Sequence, residues 1–146
     1  MSTTLSLSEQ TIITATFYQL VPISNTFVHL FYNRLFELKP AVKPLFNNSI
    51  DDQGPKLISM LAVLVRSLHN LEPLIPAIQD LGMRHVQYGV AAEDYAVVGE
   101  ALLWALEQML KDGFTPAVKT AWAALYKELS QICIEAAYTS IPPQSA

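Results

Sequence analysis

Two nitrogen-bearing side chains occupy places where an apolar residue is expected. Leu74, Ile78, Leu81 and His85 follow the spacing of one helical face, and Gln53 leads a second such face through Leu57, Leu61, Leu64 and Leu68. A polar group on a core-facing stripe costs free energy unless it finds a partner. Two apolar faces, each with one nitrogen-bearing group, would make two walls of a pocket around a polar centre, and a haem iron would fit there. On spacing alone, a hydrogen-bonded core histidine is the plainer reading of His85.

Other chemistries find little support in the sequence. His29, His69 and His85 are the three histidines, and Cys133 is the one cysteine. A catalytic zinc usually takes three ligands from close-packed positions. No HExxH or cysteine-rich pattern occurs, and no nucleophile elbow, phosphate loop or dinucleotide fingerprint. Hydrolysis, phosphoryl transfer and nicotinamide chemistry are therefore disfavoured. Haem differs, because a single axial histidine can hold it.

The elements that must position these groups read as helices. Ser6-Leu7-Ser8-Glu9 is a capping-box pattern ahead of Ile12, Ile13, Ala15, Phe17 and Leu20. Pro22 interrupts, and a second helix with Phe27, Leu30, Phe31, Leu35 and Phe36 ends before Pro40. A short segment runs from Pro40 to Phe46. Asn47-Asn48-Ser49 is a capping loop before a helix that carries Asp51 and Asp52 near its start and runs to about His69, in which Pro55 is tolerable if it lies in the first turn. Glu72-Pro73 opens a helix to about His85, broken by Gly89. A long helix runs from Ala92-Glu93-Asp94 to Leu110, closed by Asp112-Gly113. Thr115-Pro116 opens the last, to about Tyr138, and residues 139–146 read as a loose tail.

The composition bounds the rest. One domain spans 1–146, with its core over about 8–138. Hydrophobic residues make up 51% of the chain and charged residues 15%, against about 25% charged in an average domain. That surplus fits a buried cofactor, an oligomer interface or a dense helical core. A net charge of −4 without a basic cluster argues against nucleic acid as the main partner. A lone cysteine and an N-terminus without a basic, apolar leader point to the cytoplasm. The longest uncharged apolar run, Leu57 to Val65, is too short for a membrane span.

Taken in order, these residues resemble the globin family, and within it the single-domain bacterial globins and the haem domain of flavohaemoglobins. Phe46 in Pro44-Leu45-Phe46 matches the phenylalanine that wedges against haem, Gln53 the distal position, and His85 the proximal histidine. Lys56 and Leu57 follow Gln53 at the usual spacing. Arg84 to Val90, then Tyr95, Val98, Gly99, Leu102 and Leu103, and Ala121-Trp122 with Tyr126 also fit. The resemblance runs from about Ser8 to Tyr138.

The resemblance implies an all-α globin fold, a three-over-three helical sandwich. Gln53 follows Phe46 by only seven positions, so the helix known as D in globins would be absent. It implies haem b (iron protoporphyrin IX) with His85 as the metal ligand, its Nδ1–H donating to a carbonyl or a side chain. Tyr32 and Gln53 would stabilise bound O2 by hydrogen bonds. Phe46, Leu57, Leu81, Val90 and Val98 would line the porphyrin, and Lys56 and Arg84 could pair with its propionates. In flavohaemoglobin-like proteins a tyrosine at the Tyr95 position bonds a glutamate of the last helix. Here the matching position is Ala137, with Glu135 two residues away on another side of the helix.

The implied function is reversible binding of O2, NO and CO, with oxygen transport, NO dioxygenation to nitrate or nitrite reduction as its uses. Turnover would need a separate reductase, because no flavin domain follows. A haem-based gas sensor acting through a protein contact, or a haem-free interaction module, are the alternatives. A monomer or weak homodimer is expected.

Overall fold

The computed structural model describes residues 5–46, 49–87 and 89–138. Asn47-Asn48 of the expected loop, Tyr88 and the tail from 139 onward lie outside these. Six α-helices joined by short 3-10 turns make up the described residues, with no strand among them.

Helix α1 (Leu7–Leu20) begins with both bonds of the capping box, Ser6 Oγ accepting from the Glu9 N–H and Glu9 Oε1 from the Ser6 N–H, each at 3.0 Å. A 3-10 turn containing Pro22 leads into α2 (Ser24–Leu38), and the segment Pro40–Leu45 is a 3-10 helix. Helix α3 (Ile50–Arg66) is capped by the Ser49 hydroxyl, which accepts from the Asp52 N–H at 3.3 Å. With that start, the first-turn condition on Pro55 is not met. Pro55 falls at the sixth position of α3 and not in the first turn, so its missing N–H leaves the Asp51 carbonyl without its helical donor. Helix α3 also ends at Arg66, before His69.

Helix α4 (Ile75–Gln87) follows a 3-10 turn at Glu72–Leu74 and stops where Gly89 takes φ 98°, a backbone setting that favours glycine. Helix α5 (Asp94–Leu110) ends with Lys111, not Gly113, in the positive-φ position. Helix α6 (Pro116–Tyr138) opens as its sequence implies, with Thr115 Oγ1 accepting from the Val118 N–H at 3.2 Å.

One layer holds α1, α3 and α4, the other α2, α5 and α6, and they pack chiefly through α4 on α6, α1 on α6 and α2 on α3. This is a three-over-three helical sandwich in which a short 3-10 segment, and no extra helix, joins α2 to α3. Ile13, Phe17, Phe27, Leu35, Leu106, Trp122 and Leu125 form its fully buried centre. Trp122 brings a polar atom there, and its Nε1–H donates to Thr16 Oγ1 at 2.8 Å. Leaving that indole donor unmatched would cost about 1–3 kcal/mol. No helix of the described residues is long and apolar enough to cross a membrane.

Candidate functional site

Tyr32 and Gln53 come from different helices and meet at one cavity. Tyr32 is buried on α2, fixed by edge-on contacts with Phe31 and Phe46 at centroid separations of 4.8 and 5.6 Å. Phe46 ends the 3-10 segment in extended backbone and also meets Phe36 edge-on, at 5.5 Å. Half-buried Gln53 lies one turn into α3. The cavity between them has a volume of about 160 Å³ and is lined by Tyr32, Phe36, Phe46 and Gln53.

The crossing that brings them together depends on the residue after Gln53. A Cβ at Gly54 would come within 2.7 Å of Val28 Cγ2, so only glycine lets α3 lie this close to α2. Burial pushes the Tyr32 phenol up to about 12, so it stays a protonated donor at neutral pH. The amide of Gln53 adds two N–H donors whose charge state does not vary with pH.

The second group is built on α4 and α5. His85 is half-buried, and its Nδ1 lies 2.8 Å from the Leu81 carbonyl oxygen, one turn earlier. Burial lowers its pKa, outweighing the opposite effect of that bond. A neutral imidazole with Nδ1–H donating to a carbonyl carries its lone pair on Nε2, which is the form that ligates a metal. The Val90 N–H donates to the His85 carbonyl at 2.9 Å, folding the end of α4 back towards α5.

Tyr95, on the first turn of α5, stacks on the His85 ring at a centroid separation of 6.4 Å and an interplanar angle of 29°. Its carbonyl accepts from the Tyr126 hydroxyl at 2.7 Å. On α6 the Cys133 thiol lies 3.5 Å from the Ile78 carbonyl of α4. Burial pushes that thiol up and keeps it protonated. Glu135, two residues further along α6, is exposed.

Sequence reasoning took Cys133 as a buried small apolar residue, and it is buried in the core. Gly82 holds α4 against α6 at this point, since a Cβ there would meet the Cys133 carbonyl oxygen at 2.5 Å.

The remaining candidates are less tightly engaged. Leu57, Leu81 and Val98 are half-buried against the core. Lys56 is exposed on α3, and Arg84 is exposed and paired with Asp80 at 3.0 Å. His29, assigned no role from sequence, lies 3.0 Å from Asp51 across α2 and α3. No group of three or more His, Cys, Asp or Glu side chains that could hold a metal occurs among the described residues. A metal centre with one protein ligand fits this donor set better than a protein-only site.

Comparison with known proteins agrees with this architecture. The Globin family profile matches residues 29–133. The chain is similar to the flavohemoprotein of Vibrio cholerae serotype O1, at 31% identity over 108 residues, which is 72% of this chain and 27% of that protein. It is similar to the flavohemoprotein of Rhizobium meliloti at 31% identity over 105 residues, 70% of this chain and 26% of that one. The chain thus spans about a quarter of the length of these curated relatives.

Among solved structures it resembles an engineered carbene transferase made from RmaNOD, a candidate nitric oxide dioxygenase of Rhodothermus marinus. The TM-score is 0.79 at 29% identity, over 88% of this chain and 90% of that one. Helix order, layer packing and sequence likeness all lead to one conclusion: the chain belongs to the globin family.

Proposed function

We propose that this globin domain holds haem b through His85 and reversibly binds O2, NO and CO. The observation that carries the reading is the convergence of Tyr32 and Gln53 on one cavity walled by Phe36 and Phe46, with His85 held in the Nε2-ligating tautomer on a different helix. Haem, when bound, supplies an iron that coordinates diatomic gases and exchanges one electron.

The chain's own residues decide how a ligand is treated. His85 orients its ring through Leu81 and remains neutral, which suits ligation. The Tyr32 hydroxyl and the Gln53 amide donate hydrogen bonds to a ligand that gains electron density on binding. Phe46 lines the cavity, and Leu57, Leu81, Val90 and Val98 would pack on the bound porphyrin, excluding water and strengthening those bonds. Lys56 reaches solvent at the rim, where it can meet a propionate, and Arg84 would first have to leave Asp80.

NO dioxygenation is the turnover this arrangement favours: NO, O2 and one electron give nitrate. The electron must come from a reductase acting on this domain. The Nδ1–H of His85 is directed at the neutral Leu81 carbonyl, and Ala137 stands where a flavohaemoglobin-like chain has glutamate, so ligand binding is favoured over activation of peroxides.

The reading is tested by oxygen equilibrium and NO consumption of haem-loaded protein with a flavin reductase, beside Tyr32→Phe with Gln53→Leu. Reversible O2 binding that weakens in the double variant supports it. Haem that oxidises at once in air, equally in both proteins, contradicts it.

A further inference from the structure

Among the described residues, the charged one that lines the distal cavity is Lys43, on a protein whose net charge is −4. Lys43 belongs to the 3-10 segment Pro40–Leu45, and Pro44 beside it stiffens the backbone. Its Nζ lies over the Phe36 ring, 5.8 Å from the centroid. That cation–π contact keeps the ammonium at the cavity in place of a free sweep through solvent. Phe36 is itself packed against Tyr32 and Phe46, so the cation is anchored to the aromatic wall that holds the distal phenol.

Two further donors line the same mouth, the Asn33 amide and the Ser49 hydroxyl. Ser49 uses its oxygen to accept from the Asp52 N–H, which leaves its O–H to point elsewhere. Of the two acidic residues in the first turn of α3, Asp51 lies 3.0 Å from His29 and Asp52 is exposed. Asn33, Lys43 and Ser49 are exposed at the opening, where a fixed cation acts on ions as they approach.

We propose that Lys43, with Asn33 and Ser49, makes this mouth a passage for small inorganic anions, in addition to the neutral gases. The class is a monovalent oxyanion of nitrite or nitrate size. Nitrite would enter by this route and nitrate would leave by it. The inference rests on the haem-globin reading above and adds a residue that selects by charge.

The test compares an anionic with a neutral ligand. Azide and nitrite association to the oxidised haem protein and CO association to the reduced protein are followed by stopped-flow absorption in wild type, Lys43→Gln and Lys43→Glu. Melting curves establish folding of both variants. Lys43→Glu should slow azide and nitrite entry about threefold to tenfold, with CO unchanged. The wild-type anion rates should fall with added salt, and the variant rates should not. Nitrate competition against azide separates the two anion sources: weaker competition in Lys43→Glu extends the passage to nitrate, and unaltered competition restricts it to nitrite.

Equal slowing of CO and azide would make Lys43 a steric element and overturn the proposal. So would anion rates that match wild type. Absence of any CO spectrum in wild type would instead overturn the haem reading itself. If Lys43→Glu does not fold, Lys43→Gln and the wild-type salt dependence decide the matter.

Discussion

Tyr95 stacks on His85, and the Nδ1–H of that imidazole is directed at the neutral Leu81 carbonyl 2.8 Å away. A carboxylate as acceptor would draw the Nδ1 proton and increase imidazole donation, whereas a backbone carbonyl leaves the imidazole neutral. Resonance Raman of the reduced haem protein should give an iron–histidine stretch typical of neutral imidazole. Tyr95→Phe keeps the ring that stacks on His85 and should leave that stretch in place. A marked shift in Tyr95→Phe would mean that the phenol does tune the imidazole.

The distal pair should act on ligand release. Removing the Tyr32 hydroxyl or the Gln53 amide deletes one hydrogen bond to a bound ligand, worth about 0.5–1.5 kcal/mol, which is up to roughly a tenfold faster O2 dissociation. CO accepts hydrogen bonds weakly, so its dissociation should change far less. Flash photolysis on Tyr32→Phe and Gln53→Leu measures both. A parallel change for the two gases would assign these residues a packing role only. The Tyr32 effect should be flat across neutral pH, since its phenol titrates only near 12.

Gly54 fixes the α2–α3 crossing, and its neighbour Gln53 depends on that crossing. Gly54→Ala drives a methyl against Val28 Cγ2, 2.7 Å from the ideal Cβ. Overpacking of this kind costs about 1–3 kcal/mol. Val28→Ala should make room, so the double variant should be more stable than the sum of the single changes allows. Urea unfolding of all four proteins checks this, and strict additivity would show that the two positions are not in contact.

Lys39 and Asp94 tie the end of α2 to the start of α5, next to Tyr95. Burial alone would raise the Asp94 carboxyl, but Lys39 and the Ala91 N–H outweigh it and hold it below its ordinary 3.8. The bond from Asp94 chiefly raises the Lys39 ammonium above its ordinary 10.5. For the lowered carboxyl, stabilisation is complete above 3.8 and is lost as pH falls through the folded value. For the raised ammonium, it is complete below 10.5 and is lost as pH rises through the folded value. Asp94→Asn should therefore melt earlier at neutral pH and show a shallower loss at both extremes. A melting profile parallel to wild type at every pH would contradict this assignment.

How far the sequence carried the fold is visible in particular residues. Ser6 with Glu9, Thr115 with Pro116, and Gly89 mark helix ends by local chemistry, and each end lies where that chemistry puts it. Pro55 misled because its own first-turn preference says nothing of where Ser49 caps the helix. The positive φ at Lys111 was hidden for the same reason: a nearby glycine is the usual choice, and packing chose otherwise.

At the candidate site, periodicity singles out Gln53 and His85, but not what they pack against. The contact of Phe46 with Tyr32 and Phe36, the Gly54–Val28 crossing and the His85–Tyr95 stack each join residues from different elements, which no single-helix pattern reveals.

The central claim is that His85 ligates haem iron. The most direct test is the absorption spectrum of haem-reconstituted protein, oxidised, reduced and exposed to CO, beside His85→Ala. The account predicts a strong Soret band that shifts on reduction and with CO in wild type and is lost or displaced in the variant. A wild type that takes up no haem, or a variant whose spectra match wild type in every state, would contradict it and return His85 to the role of a core histidine bonded to Leu81.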